Sequence, residues 1–182
     1  MRKLILFNMV TADGFFEGMH GDISWHKVDE EVNEYITTQL RTTDTLLFGR
    51  KTYQVMEDFW PGEEAFKQDP AVAKMMGDYL KIIFSTTMQK TGWKNTRLVN
   101  RNAVEEVEKL KNLPGKDLFI FGSAELSHLL IQHQLIDEFR LMINPVILGN
   151  GRPLFKNRHV NLQLIKARVF GNGNVLLSYM PH

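Results

Sequence analysis

The stretch LLFGRKTY, Leu46 to Tyr53, passes from three apolar residues, through a glycine, into two cations and a hydroxyl. An apolar run that ends in glycine before a helical pattern is typical of a buried strand leading into a helix. The first amides of such a helix have no partner within it, and glycine lets a ligand approach the backbone closely. The stretch therefore favours an α/β fold with a phosphate-binding turn at Gly49. The alternative is a tight turn that carries two solvated cations.

The same alternation continues along the chain and predicts an α/β protein. Short runs rich in β-branched and aromatic residues alternate with stretches of helical period. The predicted strands are Lys3–Val10, Thr45–Phe48, Lys81–Ser85, Arg97–Val99, Leu118–Phe121, Glu138–Ile143, Leu162–Val169 and Val175–Met180. The predicted helices are Asp29–Leu40, Lys51–Met56, Ala71–Met76, Ala103–Leu110 and Ala124–Gln132.

The end of the chain predicts a second kind of strand connection. The sequence GNGN, Gly171 to Asn174, is a strong hairpin signal, whereas the earlier strand and helix units indicate parallel, covered strands. We therefore expect a mixed, mostly parallel sheet with a C-terminal antiparallel hairpin. Asn102 and Ser123 are predicted to cap the helices that follow them. The segment MEDFWPGEEAFKQDP, Met56 to Pro70, is predicted to be a long irregular stretch.

The composition of the 182 residues is ordinary for a globular protein and favours a single domain over residues 1–182. Because 22 Lys and Arg oppose 21 Asp and Glu, no net field marks a nucleic-acid or membrane-surface binder, and we expect a small-molecule partner. The apolar start is too short for a signal peptide, which favours a cytoplasmic protein. There is no cysteine and the six histidines form no ligand pattern, so no metal site is assigned.

Two further turns follow predicted strands. In FIFGSAELSHLL, Phe119 to Leu130, small residues after Gly122 would let a diphosphate touch the amides of the following helix. Ser85, Thr86 and Thr87 follow the strand KIIFS; such hydroxyls suit the 2′-phosphate of NADP, or they simply form a turn. Taken together, the three turns favour a dinucleotide that lies across the carboxyl ends of the strands.

Acidic residues are the candidates for proton transfer. In the helical segment VDEEVNEYITTQL, a rotation of about 100° per residue places Asp29 within the apolar face and Glu30 and Glu34 outside it. A half-buried carboxyl group has a raised pKa, which suits a general acid. The alternative is that these acids are solvated and only favour the amino end of the helix.

Five motifs occur in a distinctive order over nearly the whole chain. They are VTADGFFEG at Val10–Gly18, GDISW at Gly21–Trp25, LLFGRKTYQVMEDFWP at Leu46–Pro61, IFSTT at Ile83–Thr87 and LFIFGSAELSHLLIQHQLIDEFRLMINPVILGNGRPLF at Leu118–Phe155. Their order and spacing resemble the dihydrofolate reductase-like family, in the stand-alone branch similar to the carboxy-terminal reductase domain of riboflavin biosynthesis. The resemblance implies a three-layer α/β/α fold with NADPH across the strand ends.

The resemblance also implies which residues bind the cofactor. The backbone of Met9 and Val10 would face the nicotinamide, the turn from Gly49 would hold phosphate, and Ser85 with Thr86 would approach the 2′-phosphate. The cofactor-binding residues implied in this way are Met9, Val10, Gly49, Arg50, Lys51, Thr52, Ser85, Thr86, Phe121, Gly122, Ser123, Ala124, Glu125 and Leu126.

Three acids are implied as catalytic candidates. Counting from Trp25, as the family pattern does, selects Glu30, whereas helical periodicity selects Asp29. Asp13 lies in a Thr-Ala-Asp-Gly segment that resembles the family's Ser-Leu-Asp-Gly; its alternative is a turn-forming Asp-Gly pair.

The resemblance implies an NADPH-dependent reductase that acts on a small heterocyclic or phosphoribosyl substrate and forms a homodimer. The first substrate expectation is the 5-amino-6-(5-phosphoribosylamino)uracil of riboflavin synthesis, and the alternative is dihydrofolate. An alternative from another class is a non-catalytic protein that binds NADPH or another nucleotide.

Overall fold

The computed structural model describes residues 1–156 and 159–182 and is built around an eight-stranded sheet. The strands are β1 (Leu4–Thr11), β2 (Phe15–Glu17), β3 (Thr43–Gly49), β4 (Leu80–Phe84), β5 (Thr96–Val99), β6 (Asp117–Phe121), β7 (Glu138–Asn144), β8 (Arg152–Pro153), β9 (Leu162–Val169) and β10 (Val175–Pro181). The helices are α1 (Glu30–Leu40), α2 (Arg50–Phe59), α3 (Glu63–Gln68), α4 (Pro70–Asp78), α5 (Ala103–Asn112) and α6 (Ala124–Gln132).

The sheet is mixed, as the sequence predicts, with the order β5-β4-β3-β6-β1-β7-β10-β9. The six strands from β5 to β7 are parallel, and β10 pairs antiparallel with both β7 and β9. The chain leaves β1 toward β3 on one side, whereas it leaves β6 toward β7 on the other. This reversal creates a crevice at the carboxyl ends of β1 and β6, where open α/β sheets bind ligands.

Helices cover both faces of the sheet, which confirms the three-layer prediction. Val32 of α1 and Tyr53 of α2 pack with Ile5 of β1 in one core. On the opposite face, Leu130 of α6 packs with Leu6, the next residue of β1. Successive residues of a strand point to opposite faces, so a central strand that is buried on both sides needs a continuous apolar run. The LILF of β1 supplies that run.

A second, two-stranded sheet lies beyond the carboxyl end of β1 and was not predicted. β2 pairs antiparallel with β8, with Phe15 opposite Pro153 and Glu17 opposite Arg152. Leu154 also donates its amide to the carbonyl of Gly14 at 3.2 Å. We call the β2 and β8 strands together the ribbon.

The prediction that Met56 to Pro70 forms a long irregular stretch is wrong. α2 continues to Phe59, and the segment contains the whole of α3. Asp69 ends it by accepting hydrogen bonds from the amides of Ala71 and Val72, with Pro70 as the first residue of α4. Acidic and proline residues favour a helix start, so the segment did carry a local signal. No helix among the described residues has both the length and the apolar character needed to cross a membrane.

Candidate functional site

A cleft of about 610 Å³ lies at the carboxyl ends of the parallel strands, and the three predicted turns meet there. The first turn follows β3, the second follows β4, and the third lies between β6 and α6. The predicted cofactor residues that line the cleft are Gly49, Arg50, Lys51, Thr52, Ser85, Thr86, Ser123, Ala124, Glu125 and Leu126. The structure therefore brings ten of the predicted residues to one site.

The turn after β3 opens α2. Gly49 precedes the helix in an extended conformation and no side chain caps the helix, so its first amides keep their donors for a ligand. Arg50 and Lys51 are exposed, and the Arg50 Nη1 atom donates to Gln54 one helical turn later at 3.2 Å. Helix amides, the positive end of the helix dipole and two cations together suit a phosphate.

A serine hydroxyl ties the first turn to the third. The Oγ of Ser123 accepts a hydrogen bond from the amide of Gly49 at 2.7 Å and donates to Thr52 Oγ1 at 3.0 Å. A Cβ at position 49 would lie 3.2 Å from that Oγ, so a glycine is needed for this approach. The two turns are thereby held at a fixed separation.

The predicted capping roles of Asn102 and Ser123 are wrong. Both residues have left-handed backbones, with φ of 55° and 64°, and neither side chain bonds an amide of its helix. The N-cap interaction needs an extended residue, so these backbone angles turn the side chains away from the helix amides. The Asn102 side chain bonds Glu105 instead, and Ser123 bonds the first turn. The first amides of α6 consequently remain open toward the cleft.

The turn after β4 is ordered by its own hydroxyl. Ser85 Oγ accepts hydrogen bonds from the amides of Thr87 at 3.3 Å and Met88 at 3.1 Å, and Asn100 donates to the Ser85 carbonyl at 2.9 Å. Thr86 and Thr87 are exposed and line the cleft. Ser85 therefore forms the turn, whereas the two threonine hydroxyls face the space where a ligand would lie.

Two groups of residues in the cleft were missed from the sequence. Asn100, Arg101 and Asn102 follow β5, and their place beside Ser85 depends on β5 lying next to β4. Arg152 belongs to the ribbon and reaches the cleft only because β8 pairs with β2. The first group directly follows a predicted strand, and that position could have identified it from the sequence. The ribbon strands, by contrast, are too short to show periodicity. The cleft also takes Phe16 and Glu17 from the ribbon.

The charges of the cleft favour an anionic ligand. The cationic side chains in its wall are Arg50, Lys51, Arg101 and Arg152, and the carboxylates are Glu17 and Glu125. Both carboxylates are paired with Arg152. The positive charges near β3 and β5 consequently have no carboxylate among the lining residues to neutralise them, which concentrates positive potential at that end.

The predicted residues Met9, Val10, Phe121 and Gly122 lie beside the cleft, outside its lining. β1 pairs with β6 only as far as Phe7, opposite Phe121, but with β7 as far as Thr11. The backbone of residues 8–11 therefore has no strand partner on the β6 side. Phe121 is half-buried against the core of α1 and α2, and Val10 is buried on the other face of the sheet.

Asn8 lies at this gap with an unusual side chain. It is 3% exposed, and neither its Oδ1 nor its Nδ2 has a hydrogen-bond partner among the described residues. A buried amide without partners is costly, and such groups mark places where a further polar group binds. The carboxamide of a nicotinamide ring has one acceptor and donors, which complement an Asn side chain and an open strand backbone.

The structure separates the three acidic candidates. Asp29 is not within the helix: it is the N-cap of α1, where Oδ1 accepts from the Val32 amide at 3.0 Å, and it is exposed. The prediction that periodicity half-buries Asp29 is therefore wrong, because the helix begins one residue later. Glu30 is exposed, as periodicity predicts.

Asp13 forms the turn contacts that the alternative interpretation predicts. Its carboxylate accepts from the amides of Gly149 at 2.8 Å and Leu148 at 3.3 Å. The Thr11 hydroxyl and these amides lower the pKa of Asp13, against the opposing effect of burial. A carboxyl group with a lowered pKa is a poor proton donor near neutral pH. The geometry assigns Asp13 to holding the loop before the ribbon.

No group of three or more His, Asp or Glu side chains in residues 1–156 and 159–182 is placed to hold a metal ion. The donors around the cleft, namely helix amides, guanidinium groups, an ammonium group and hydroxyls, instead have the chemistry that phosphates require. These donors fit the phosphates of NADPH.

The chain is similar in sequence to known proteins over almost its whole length. The family model described as the RibD C-terminal domain matches residues 2–176. An uncharacterized protein of Bacillus subtilis strain 168, YyaP, is 37% identical over 180 residues, covering 98% of this chain and 94% of that protein. A second uncharacterized protein of the same strain, YwjB, is 28% identical over 182 residues and covers 98% of each.

Solved structures share the fold at low sequence identity. A protein of Shewanella sp. PV-4 with a provisional riboflavin-biosynthesis name is 21% identical, with a TM-score of 0.80 and 99% of both chains covered. The dihydrofolate reductase of Enterococcus faecalis, solved with NADP(H), is 15% identical, with a TM-score of 0.65 and coverage of 99% of this chain and 96% of that one. The fold is dihydrofolate reductase-like, and the chain belongs to the RibD C-terminal domain family.

Proposed function

We propose that this protein is an NADPH-dependent reductase that transfers hydride to a small heterocyclic or phosphoribosyl substrate. The observation that carries the proposal is the single cleft in which the turns after β3, β4 and β6 meet under a cluster of cations. When bound, NADPH supplies the hydride. Our first substrate is 5-amino-6-(5-phosphoribosylamino)uracil, because a structural neighbour from Thermotoga maritima carries that reductase activity in its name, with 12% identity and a TM-score of 0.70.

The residues of the chain would bind NADPH and the substrate, orient them toward each other and exclude water. Arg50, Lys51 and the first amides of α2 and α6 would hold the phosphates, and Asn8 would orient the carboxamide at the gap beside β1. Holding two reactants in a productive geometry is the main way in which a protein accelerates a transfer between them. A polar group near the accepting atom must then deliver one proton.

Glu30 is freer than Asp29 to deliver a proton, and neither acid is among the residues that line the cleft. Asp29 already uses its carboxylate to cap α1, whereas no contact of the Glu30 carboxylate occurs among the described residues. Asp29→Asn should be nearly neutral because asparagine also caps helices well. Glu30→Gln should lower kcat by a factor of about 10² or more. Equal activity of both variants and the wild type would assign the proton to solvent.

The function is tested by binding first and turnover second. NADPH binding is measured by fluorescence titration, and NADPH oxidation is followed by absorbance with 5-amino-6-(5-phosphoribosylamino)uracil and, separately, with dihydrofolate. NADPH oxidation with the first substrate alone supports the proposal in full. Oxidation with dihydrofolate alone keeps the reductase activity but makes dihydrofolate the substrate. Binding without turnover on either indicates a non-catalytic nucleotide-binding protein. Absence of NADPH binding overturns the proposal.

A further inference from the structure

Arg152 joins two separate elements across the edge of the cleft. Its Nη1 lies 3.1 Å from Glu17 Oε1 at the end of β2, and its Nη2 lies 2.6 Å from Glu125 Oε1 in the first turn of α6. The guanidinium also lies 5.5 Å from the ring of Phe16. One planar side chain with several donors can bond two carboxylates at once, which an ammonium group does less well.

The pKa shifts of Glu125 and Arg152 both favour the charged forms that the bridge requires. The hydrogen bond from Arg152 is the main cause of the lowered pKa of Glu125. Burial lowers the pKa of Arg152, but the two carboxylates outweigh it and leave that pKa raised. Arg152 and Glu17 are only 25% and 22% exposed, so solvent screens this half of the bridge less than an ordinary surface pair. Glu125 is 71% exposed, so solvent screens the other half more strongly.

The ribbon also packs on the main sheet, because Phe16 and the adjoining Leu154 belong to one core with Val10 and Leu141. Its strands pair with each other, the Asp13 carboxylate accepts from the amide of Gly149, and the Gly14 carbonyl accepts from the amide of Leu154. A second contact with α6 is the hydrogen bond between His128 Nε2 and the Leu154 carbonyl at 2.6 Å. Arg152 makes the contact between the ribbon and α6 that lines the cleft, and Lys156 lies 4.0 Å from the same Glu125 Oε1.

The bridge lies at the opposite end of the cleft from the unpaired cations. Along the sheet, the order is β5 with Arg101, then β4, β3, β6 and finally β1 with the ribbon. At about 4.8 Å between strands this spans roughly 19 Å. A dinucleotide whose phosphates lie near β3 and β5 would extend its other half toward Arg152.

We infer that Arg152 is a positioning residue: by bridging Glu17 and Glu125 it clamps the ribbon onto α6 and slows dissociation of the bound dinucleotide. The inference rests on the proposed NADPH binding. Loss of a partly buried bridge acts mainly on the dissociation rate, whereas loss of an exposed rim charge acts mainly on the association rate. The two rates therefore separate a clamp from simple electrostatic attraction.

The test is stopped-flow fluorescence with NADPH on the wild type, Arg152→Ala, Arg152→Lys and Glu125→Gln. Arg152→Ala should raise the dissociation rate roughly tenfold and change the association rate by less than about twofold. Glu125→Gln should raise the dissociation rate by a smaller factor, because Glu125 is exposed and Arg152 keeps its bond to Glu17. Arg152→Lys should recover part of the slow dissociation. Arg97→Ala is the matched control, because Arg97 pairs with Glu106 outside the cleft and should leave both rates unchanged.

A dissociation rate for Arg152→Ala within about twofold of the wild type would overturn the clamp, as would a change confined to the association rate. Amide hydrogen exchange of the free protein tests the clamp without NADPH. Residues 145–156 should exchange faster in Arg152→Ala than in the wild type, and equal exchange would also overturn it. If Arg152→Ala exchanges faster but the wild type binds no NADPH, the proposed function is contradicted. The bridge would then be a structural contact without the inferred role in dissociation.

Discussion

Ser123 Oγ lies 2.7 Å from the amide nitrogen of Gly49, so two turns that are 74 residues apart in sequence are joined by one hydrogen bond. The same hydroxyl donates to Thr52, and Ser123 holds a left-handed backbone, with φ of 64°, directly after Gly122 with φ of 59°. A left-handed non-glycine residue is strained and persists only where its surroundings stabilise it. The two hydrogen bonds are the stabilising contacts here.

Ser123→Ala should therefore lower stability and cofactor affinity together. Each lost hydrogen bond contributes about 1 kcal/mol, so the free energy of unfolding should fall by about 1–2 kcal/mol in urea denaturation. Ser123→Gly loses the same bonds but relieves the left-handed strain, so it should be the more stable of the two variants. A double-mutant cycle with Thr52→Val should show coupling; additive effects would contradict the contact between these hydroxyls.

Arg101 should distinguish NADPH from NADH. It is exposed just after β5, lines the cleft together with Thr86, and forms no ion pair within the described residues. Arg101→Ala should weaken NADPH binding by about tenfold and leave NADH binding nearly unchanged, because only NADPH carries the 2′-phosphate. Lys90→Ala is the control, since Lys90 is an exposed cation in the β4–β5 connection that does not line the cleft. Equal loss for both cofactors would place Arg101 near a phosphate that they share.

The sequence predicted that the three turns lie at one site because their signal is local. At Gly49 the apolar run, the glycine and the following cations are contiguous, and a parallel sheet puts all such turns at one edge. Asp29 shows the limit of periodicity, because moving the helix start by one residue changed a face residue into an exposed N-cap. Arg152 shows a different limit: its place depends on pairing between strands of three and two residues, which leave no periodic pattern.

Protonation of His26 should destabilise the fold in mild acid. Burial lowers the pKa of His26 from 6.5 to about 4, against a smaller opposing effect of Asp22. The unfolded chain therefore binds this proton first as the pH falls, so the His26 contribution to the free energy of unfolding is lost from about pH 6.5 toward pH 4. Between pH 7 and pH 5 the loss should be about 2 kcal/mol.

His26→Gln isolates this effect from the carboxylates that also titrate in acid. The difference in free energy of unfolding between wild type and His26→Gln should shift by about 2 kcal/mol against the wild type from pH 7 to pH 5. Urea denaturation at the two pH values measures it. A difference that does not vary with pH would mean that His26 titrates alike in the folded and unfolded chains.

Asn8→Leu should stabilise the free protein and weaken NADPH binding. The Asn8 amide is buried without partners, and replacing it with an apolar side chain of similar size removes a desolvation cost of about 1–3 kcal/mol. The same change removes the side chain that we place beside the carboxamide. Thermal unfolding and NADPH titration measure the two effects. A less stable Asn8→Leu would show that the amide is satisfied in solution.

The outer strand β9 favours a homodimer. All but one of its eight residues are exposed, including Leu164 at 53%, Ile165 at 52% and Val169 at 74%. The strand also carries Lys166 and Arg168, and its unpaired edge presents open backbone groups that promote association unless they are covered. We propose that a second copy of the chain covers it, since identical edges can pair by a two-fold axis.

Sedimentation equilibrium should give a dimer for the wild type and a monomer for Leu164→Lys, because a lysine on the edge strand desolvates poorly and repels its copy in the symmetric partner. Leu113→Lys is a matched control, since Leu113 is 54% exposed but lies between α5 and β6, away from this edge. It should remain a dimer. If Leu164→Lys stays dimeric while Leu113→Lys dissociates, the interface lies on the α5 side of the molecule and not at β9.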